Sequence, residues 1–246
     1  MTMTQPSTVP SSSTRRRAVP AVEAARRSAL AAGSALSGVA VLAAAANFGA
    51  IQRLVTDGNA TRTAIDIMQA RATFSLGIAA LVVVVALDVV VAIALRTFYA
   101  PVDHRLASVA AWLRVSYAAI FAVASSQLFA ALRMVESSRP LTGASLAHRR
   151  TEVLLKIESF QNIWLVSLVL FGLHLVLIGY LTYRSGYAPR VLGVLLVIAG
   201  VGYLVDSFGG IFSNGYAINI SAVTFIGEAL LLVWLLVKGR RLTLPA

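Results

Sequence analysis

Residues 160–211 read FQNIWLVSLVLFGLHLVLIGYLTYRSGYAPRVLGVLLVIAGVGYLVDSFGGI, two apolar runs (160–183 and 190–211) divided by the turn-forming segment from Arg184 to Pro189. A helix rising ~1.5 Å per residue needs about 20 residues to cross a hydrocarbon layer of ~30 Å, and each run supplies that length. Backbone N–H and C=O groups find no water in lipid, so a lone run must satisfy them within itself, as a helix. The stretch therefore predicts two antiparallel membrane helices joined by a tight turn. Four further runs of this kind lie near 28–51, 74–99, 107–133 and 220–238. The first is Ala-rich, and the last is short and interrupted by Glu228. The expected fold is an all-α, polytopic bundle of six membrane-spanning helices.

Composition agrees. Of the 246 residues, 58% are hydrophobic and 13% charged, where a soluble domain carries about 25% charged residues. The mean hydropathy is +0.81. The chain has no cysteine, which excludes disulfides, thiol nucleophiles and thiolate-held metals. Its three histidines, His104, His148 and His174, are too few to predict a transition-metal cage. No phosphate-binding loop, dinucleotide fingerprint, HExxH or GxSxG occurs, so no cofactor is expected.

The formal charge of +11 reads as a topology signal, with no need for nucleic acid. With the amino terminus inside, the cytoplasmic flanks hold Arg15, Arg16, Arg17, Arg26, Arg27, Arg96, Arg105, Arg184, Arg190, Lys238, Arg240 and Arg241, twelve of the 21 basic residues. Eight more are spread over two longer outer loops. Both termini are therefore expected inside, with the basic flanks facing anionic lipid headgroups. Residues 1–27 form a basic tail, Ser-, Thr- and Pro-rich over 1–20, predicted to be disordered; residues 241–246 form a short second tail. Ala44-Ala45-Ala46 after the first run also fits a cleaved export signal, but the run exceeds a usual signal core and favours a retained span. In the first outer loop, Thr61 or Thr63 is a candidate cap for a helix running through Ile65, Met68 and Ala72 into the second span. In the other, Leu146, Val153, Leu154 and Ile157 recur at helical spacing. Interfacial helices and extensions of the spans are both open there.

Ionisable residues at membrane depth cost at least ~2.5–3.5 kcal/mol on insertion scales and are read as a candidate polar site. Five qualify: Asp88, Arg114, His174, Asp206 and Glu228. Counting from the inner ends at ~1.5 Å per residue places Arg114 about 10 Å deep, His174 about 13 Å, Glu228 about 15 Å and Asp88 about 16 Å, one shared layer, with Asp206 higher at about 24 Å. One reading is a proton relay with His174 between carboxylates. The other is an Asp88–Arg114 ion pair with His174 and Glu228 as interhelical hydrogen-bonding groups. Gly172 and Gly179, seven apart, read as a packing seam. Gly200, Gly202, Gly209 and Gly210 around Asp206 fit either close packing or approach of a ligand. Trp112, Trp164, Trp234, Tyr99, Tyr180 and Tyr183 near span ends read as interfacial anchors. Asn59-Ala60-Thr61 and Asn219-Ile220-Ser221 match the glycosylation tripeptide, which is common by chance.

The segment FGLHLVLIGYLTYRSGYAPRVLGVLLVIAGVGYLVDSF, Phe171 to Phe208, resembles the bacterial membrane family catalogued as domain of unknown function 4386. Phe74-Ser75-Leu76-Gly77, LDVVVAIAL around Asp88, Pro101-Val102 with Arg105, Leu113-Arg114 and Ile226-Gly227-Glu228 extend the likeness over about 28–240. The resemblance implies six transmembrane helices and no assigned activity. Expected, then, is an inner-membrane protein working through helix packing or by binding a membrane-protein partner or a second copy. The alternatives are a proton-linked transporter using the polar layer and, third, a lipid-modifying enzyme with His174 or Glu228 as base.

Overall fold

A computed structural model of the chain describes residues 12–136, 143–213, 220 and 225–239, with side chains from residue 23. All regular elements among them are helical. Helix α1 (Ser12–Ala44) continues through a π-helical stretch, Ala45–Ile51, and a last turn, Gln52–Leu54. There follow α2 (Ala60–Gln69), α3 (Arg71–Tyr99), α4 (His104–Glu136), α5 (Gly143–Arg184), α6 (Arg190–Phe212) and α7 (Ile226–Val237).

Five helical segments are long and apolar enough to cross a membrane: Glu23–Leu54, α3, α4, α5 and α6. Where the sequence predicts a sixth span over 220–238, the helix has 12 residues, about 18 Å of rise. Most of the preceding segment lies outside the described residues, as do Asn219 and Ser221 of the second glycosylation tripeptide. Helix α1 starts at Ser12, so the described part of the tail expected to be disordered is helical. From Arg15 onward Ala, Arg and Glu predominate, all strong helix formers, and Glu23 pairs with Arg27 one turn on. Residues 1–11 and 240–246 lie outside the description.

The long helices and α7 close into a ring. Helix α1 packs on α3, α3 on α4, α4 on α5, α5 on α6, α6 on α7, and α7 returns to α1. Each turns one stripe inward at helical spacing: Leu81, Val84, Asp88, Val91 and Leu95 on α3; Ala110, Arg114, Tyr117 and Phe121 on α4; Phe171, His174, Ile178 and Leu181 on α5. The outward faces are apolar too. Leu76, Val123, Val166, Val191 and Phe212 are exposed, Phe212 at 82%. Such a surface would aggregate in water and is matched by hydrocarbon, so this is a membrane protein.

Between α5 and α6 the backbones touch. A Cβ on Gly172 would stand 2.8 Å from the Gly200 carbonyl oxygen, and one on Gly179 would stand 2.7 Å from that of Gly193. The seam read from Gly172 and Gly179 thus has a matching seam on α6, seven residues apart and antiparallel, and Gly200 serves packing. The connecting turn needs Gly186, at φ +73°, in the left-handed region that costs other residues energy. Ser185 Oγ accepts from Ala188 N at 3.2 Å in the same turn. Across the α3–α4 turn, Asp103 Oδ1 caps α4 by accepting from Arg105 N and Leu106 N, both at 3.0 Å.

Helix α2 differs from expectation. Its cap is Asn59, whose side chain accepts from Arg62 N at 2.9 Å. Thr63 Oγ1 instead accepts from Thr56 N at 2.9 Å, tying the preceding loop down. The helix ends at Ala70, at φ −108°, ψ 35°, and does not run into α3. It packs on α5, α4 and α3 with Ile67 fully buried. In the other loop the apolar spacing from Leu146 to Ile157 belongs to α5 itself, one continuous helix of 42 residues.

Candidate functional site

Asp88, Arg114 and His174 occupy the inward stripes of three consecutive helices, and the ring brings them together. Arg114 donates from Nε (3.0 Å) and Nη2 (2.5 Å) to Asp88 Oδ1. Its Nη1 lies 3.3 Å from His174 Nε2, and His174 Nδ1 lies 2.8 Å from the Ala110 carbonyl oxygen. A carbonyl only accepts, so Nδ1 carries the proton and Nε2 offers its lone pair to Arg114. The guanidinium also stands 5.3 Å from the centroid of the Phe171 ring. Asp88, Arg114 and His174 are exposed by no more than 2%. His174 does not lie between carboxylates: Arg114 stands between it and Asp88. A relay would protonate Nε2, which would then present an N–H to a guanidinium N–H.

Glu228 extends this layer from the first turn of α7. Its carboxyl lies within electrostatic reach of Arg114 and Asp88 and neighbours the Tyr203 hydroxyl, yet Oε1 has no hydrogen-bond partner. Asp206 lies on α6 and is buried. Its Oδ1 accepts from Ile220 N at 3.0 Å.

Aromatic side chains that the sequence assigns to the membrane surface divide in two. Trp112, Tyr180 and Tyr183 are exposed on the outside of the bundle. Tyr99 is fully buried, its hydroxyl 2.7 Å from Thr182 Oγ1, and Trp234 packs on Phe98. Trp164 stacks on Phe160 and borders Phe121. A span end presents an inner as well as an outer face, and position along the helix alone does not choose between them. Tyr117 and Tyr203, both flanking Phe171 with ring centroids 4.9 and 5.2 Å away, are further polar groups of the interior that residue type did not single out. Their spacing offered a signal, since Tyr117 follows Arg114 by three residues and Tyr203 precedes Ser207 by four.

Among the described residues no group of three or more His, Asp or Glu side chains is placed to hold a metal ion. Residues 31–239 match the family described as a domain of unknown function, DUF4386. The chain belongs to this family. It is also similar to an uncharacterized protein of Archaeoglobus fulgidus, 33% identical over 160 residues, covering 65% of this chain and 82% of that protein. No solved structure matches it significantly.

Proposed function

We propose that the chain is a six-span protein of the bacterial inner membrane, both termini cytoplasmic, that acts through its packed helical body by binding a membrane-protein partner or a second copy. The observation carrying this reading is the closure of the Asp88–Arg114–His174 joint: all three groups are buried and engaged, and they tie α3, α4 and α5 as a fixed unit. Basic residues at the inner helix ends support the orientation and an attraction to anionic headgroups. The place of α7 in the ring, between α6 and α1, supports a sixth crossing.

The topology has a direct test, because the native chain offers no cysteine to confuse labelling. Cysteines placed singly at Asp57 and at Lys238, either side of the last helix's crossing, are expected to react with an impermeant maleimide from opposite sides, Asp57 from the periplasm. Labelling of both from one side overturns the six-span arrangement. The joint predicts that His174→Ala lowers thermal stability and abundance together, by about 1–3 kcal/mol for an Arg114 N–H left without its partner. A His174→Ala protein as stable and abundant as the parent removes that role.

One observation favours transport as a second reading: the unpartnered carboxylate oxygen of Glu228 at bilayer depth. Proton-linked solute movement in reconstituted vesicles, abolished by Glu228→Gln, is the expected result under that reading. A lipid-modifying enzyme gains less support, since both ring nitrogens of His174 are engaged.

A further inference from the structure

Arginines at the two ends of the bundle are engaged differently. Where α2 and α3 begin and α4 ends, Arg62 pairs with Asp66, and Arg71 and Arg133 both pair with Glu136. At the opposite end, among the described residues, neither Arg184 nor Arg190 pairs with a carboxylate. Each is held against a tyrosine. The Arg184 guanidinium stands 5.7 Å from the centroid of the Tyr180 ring, and its Nη1 donates to the Tyr180 hydroxyl at 3.1 Å. The Arg190 guanidinium stands 5.7 Å from the centroid of the Tyr183 ring. Both distances fall within the ~6 Å reach of a cation–π contact. Both arginines and both tyrosines are exposed.

The chain sets these pairs on either side of one turn. Tyr180, Tyr183 and Arg184 share a face at the end of α5, three and four residues apart. Ser185 and Gly186 then reverse the chain, so that Arg190, the first residue of α6, returns over Tyr183. The turn is pinned to α3, because the Tyr187 hydroxyl donates to the Phe98 carbonyl oxygen at 3.2 Å and the two rings meet edge to face. From Arg190 an exposed apolar stripe, Val194, Ile198, Val201 and Val205, runs along α6 at three- and four-residue spacing. Two cations thus stand at the head of an apolar track.

We propose that Arg184 and Arg190 bind the headgroup phosphate of an anionic phospholipid whose acyl chains lie along the Val194–Val205 stripe. A guanidinium stacked on a ring keeps its N–H edge open, and that edge matches phosphate oxygens in bidentate fashion. An anionic headgroup is favoured over a zwitterionic one because the described acidic residues at this end are committed. Glu23 pairs with Arg27, and Asp103 accepts from the backbone of α4. The ammonium of a zwitterionic headgroup would meet two guanidiniums and no spare carboxylate. A soluble phosphate would satisfy the guanidiniums but leave the apolar stripe without a partner. The site rests on the attraction to anionic headgroups proposed above and confines it to one turn. Binding in detergent does not depend on which side of the membrane the turn faces, so site and topology fail separately.

The test is native mass spectrometry of the full chain in detergent micelles, titrated with phosphatidylglycerol or with phosphatidylcholine. The expected result is saturable binding of one phosphatidylglycerol per chain, about tenfold tighter than phosphatidylcholine. Arg184→Gln and Arg190→Gln are each expected to weaken it by about tenfold, the scale of one charge-assisted hydrogen bond. Arg105→Gln removes the same charge from the neighbouring α3–α4 turn, where the side chain stacks on no ring among the described residues, and is expected to leave the affinity unchanged. Equal losses in all three variants reduce the effect to diffuse charge and overturn the site, while the general attraction to headgroups survives. Equal affinity for the two lipids also overturns it, as does displacement of the lipid by millimolar glycerol 3-phosphate. So does the absence of saturable binding to protein with an unchanged melting temperature.

Discussion

Arg114→Ala is expected to remove about 3–5 kcal/mol of stability, enough to deplete the folded protein from the membrane. The cost arises from what is left behind. Asp88, 1% exposed, would keep a charge in the bundle interior with neither of the N–H groups that now reach its Oδ1, and orphaning one member of a buried pair is far more damaging than removing both. The double variant Asp88→Leu/Arg114→Met is therefore expected to recover most of the loss, short by the ~1–3 kcal/mol that His174 Nε2 forfeits without its donor. Unfolding in mixed micelles, with abundance in the membrane fraction, measures both. Equal stability of the Arg114→Ala protein and the parent, or a double variant no better than the single, removes the joint from the account of the fold.

The second large effect is steric. On Gly193→Ala the new Cβ would lie 2.7 Å from the Gly179 carbonyl oxygen and 2.7 Å from Tyr183 N; on Gly179→Ala it would lie 2.7 Å from the Gly193 carbonyl oxygen and 2.8 Å from Val197 N. These obstacles are backbone atoms, which cannot rotate aside, so α5 and α6 must separate along their length. Overpacking of this kind costs about 1–3 kcal/mol for one methyl. Gly179→Leu is expected to abolish the folded state. Gly49→Ala is the control, since nothing lies within 4 Å of its added Cβ and alanine is the better helix former by ~1 kcal/mol. A lowered melting temperature for Gly193→Ala beside an unchanged or raised one for Gly49→Ala is the expected pattern. Parity of the two speaks against close packing.

Both effects were partly legible in the chain. Asp88, Arg114 and His174 stand out because ionisable residues inside apolar runs are costly and seldom occur without a partner at hand. Depth counted from the inner ends put them at one level, since helix rise is nearly constant. Rotation about the helix axis is a different matter. It decides that Arg114 stands between Asp88 and His174, so that the imidazole accepts from a guanidinium and does not bridge carboxylates. The Gly172–Gly179 seam was visible on α5 as a seven-residue spacing, while its match with Gly200 and Gly193 depends on the register of two antiparallel helices. The helical state of residues 12–27 was masked by Ser12, Ser13, Thr14 and Pro20 within its first turns. The independence of α2 was masked by its apolar period, which runs on past the break at Ala70.

By itself the sequence determined the membrane as solvent and the positions of five long apolar helices, and it marked Asp88, Arg114 and His174 as costly charged or polar groups within them. These follow from one-dimensional quantities: run length against bilayer thickness, and the cost of charge in hydrocarbon. The closed order of the ring was decided only by tertiary structure. So were the inward turn of Tyr99, Trp164 and Trp234 and the place of Arg114 between Asp88 and His174. In a bilayer the outside of a helix is as apolar as its inside, so hydrophobicity does not say which face turns inward; contact between helices does.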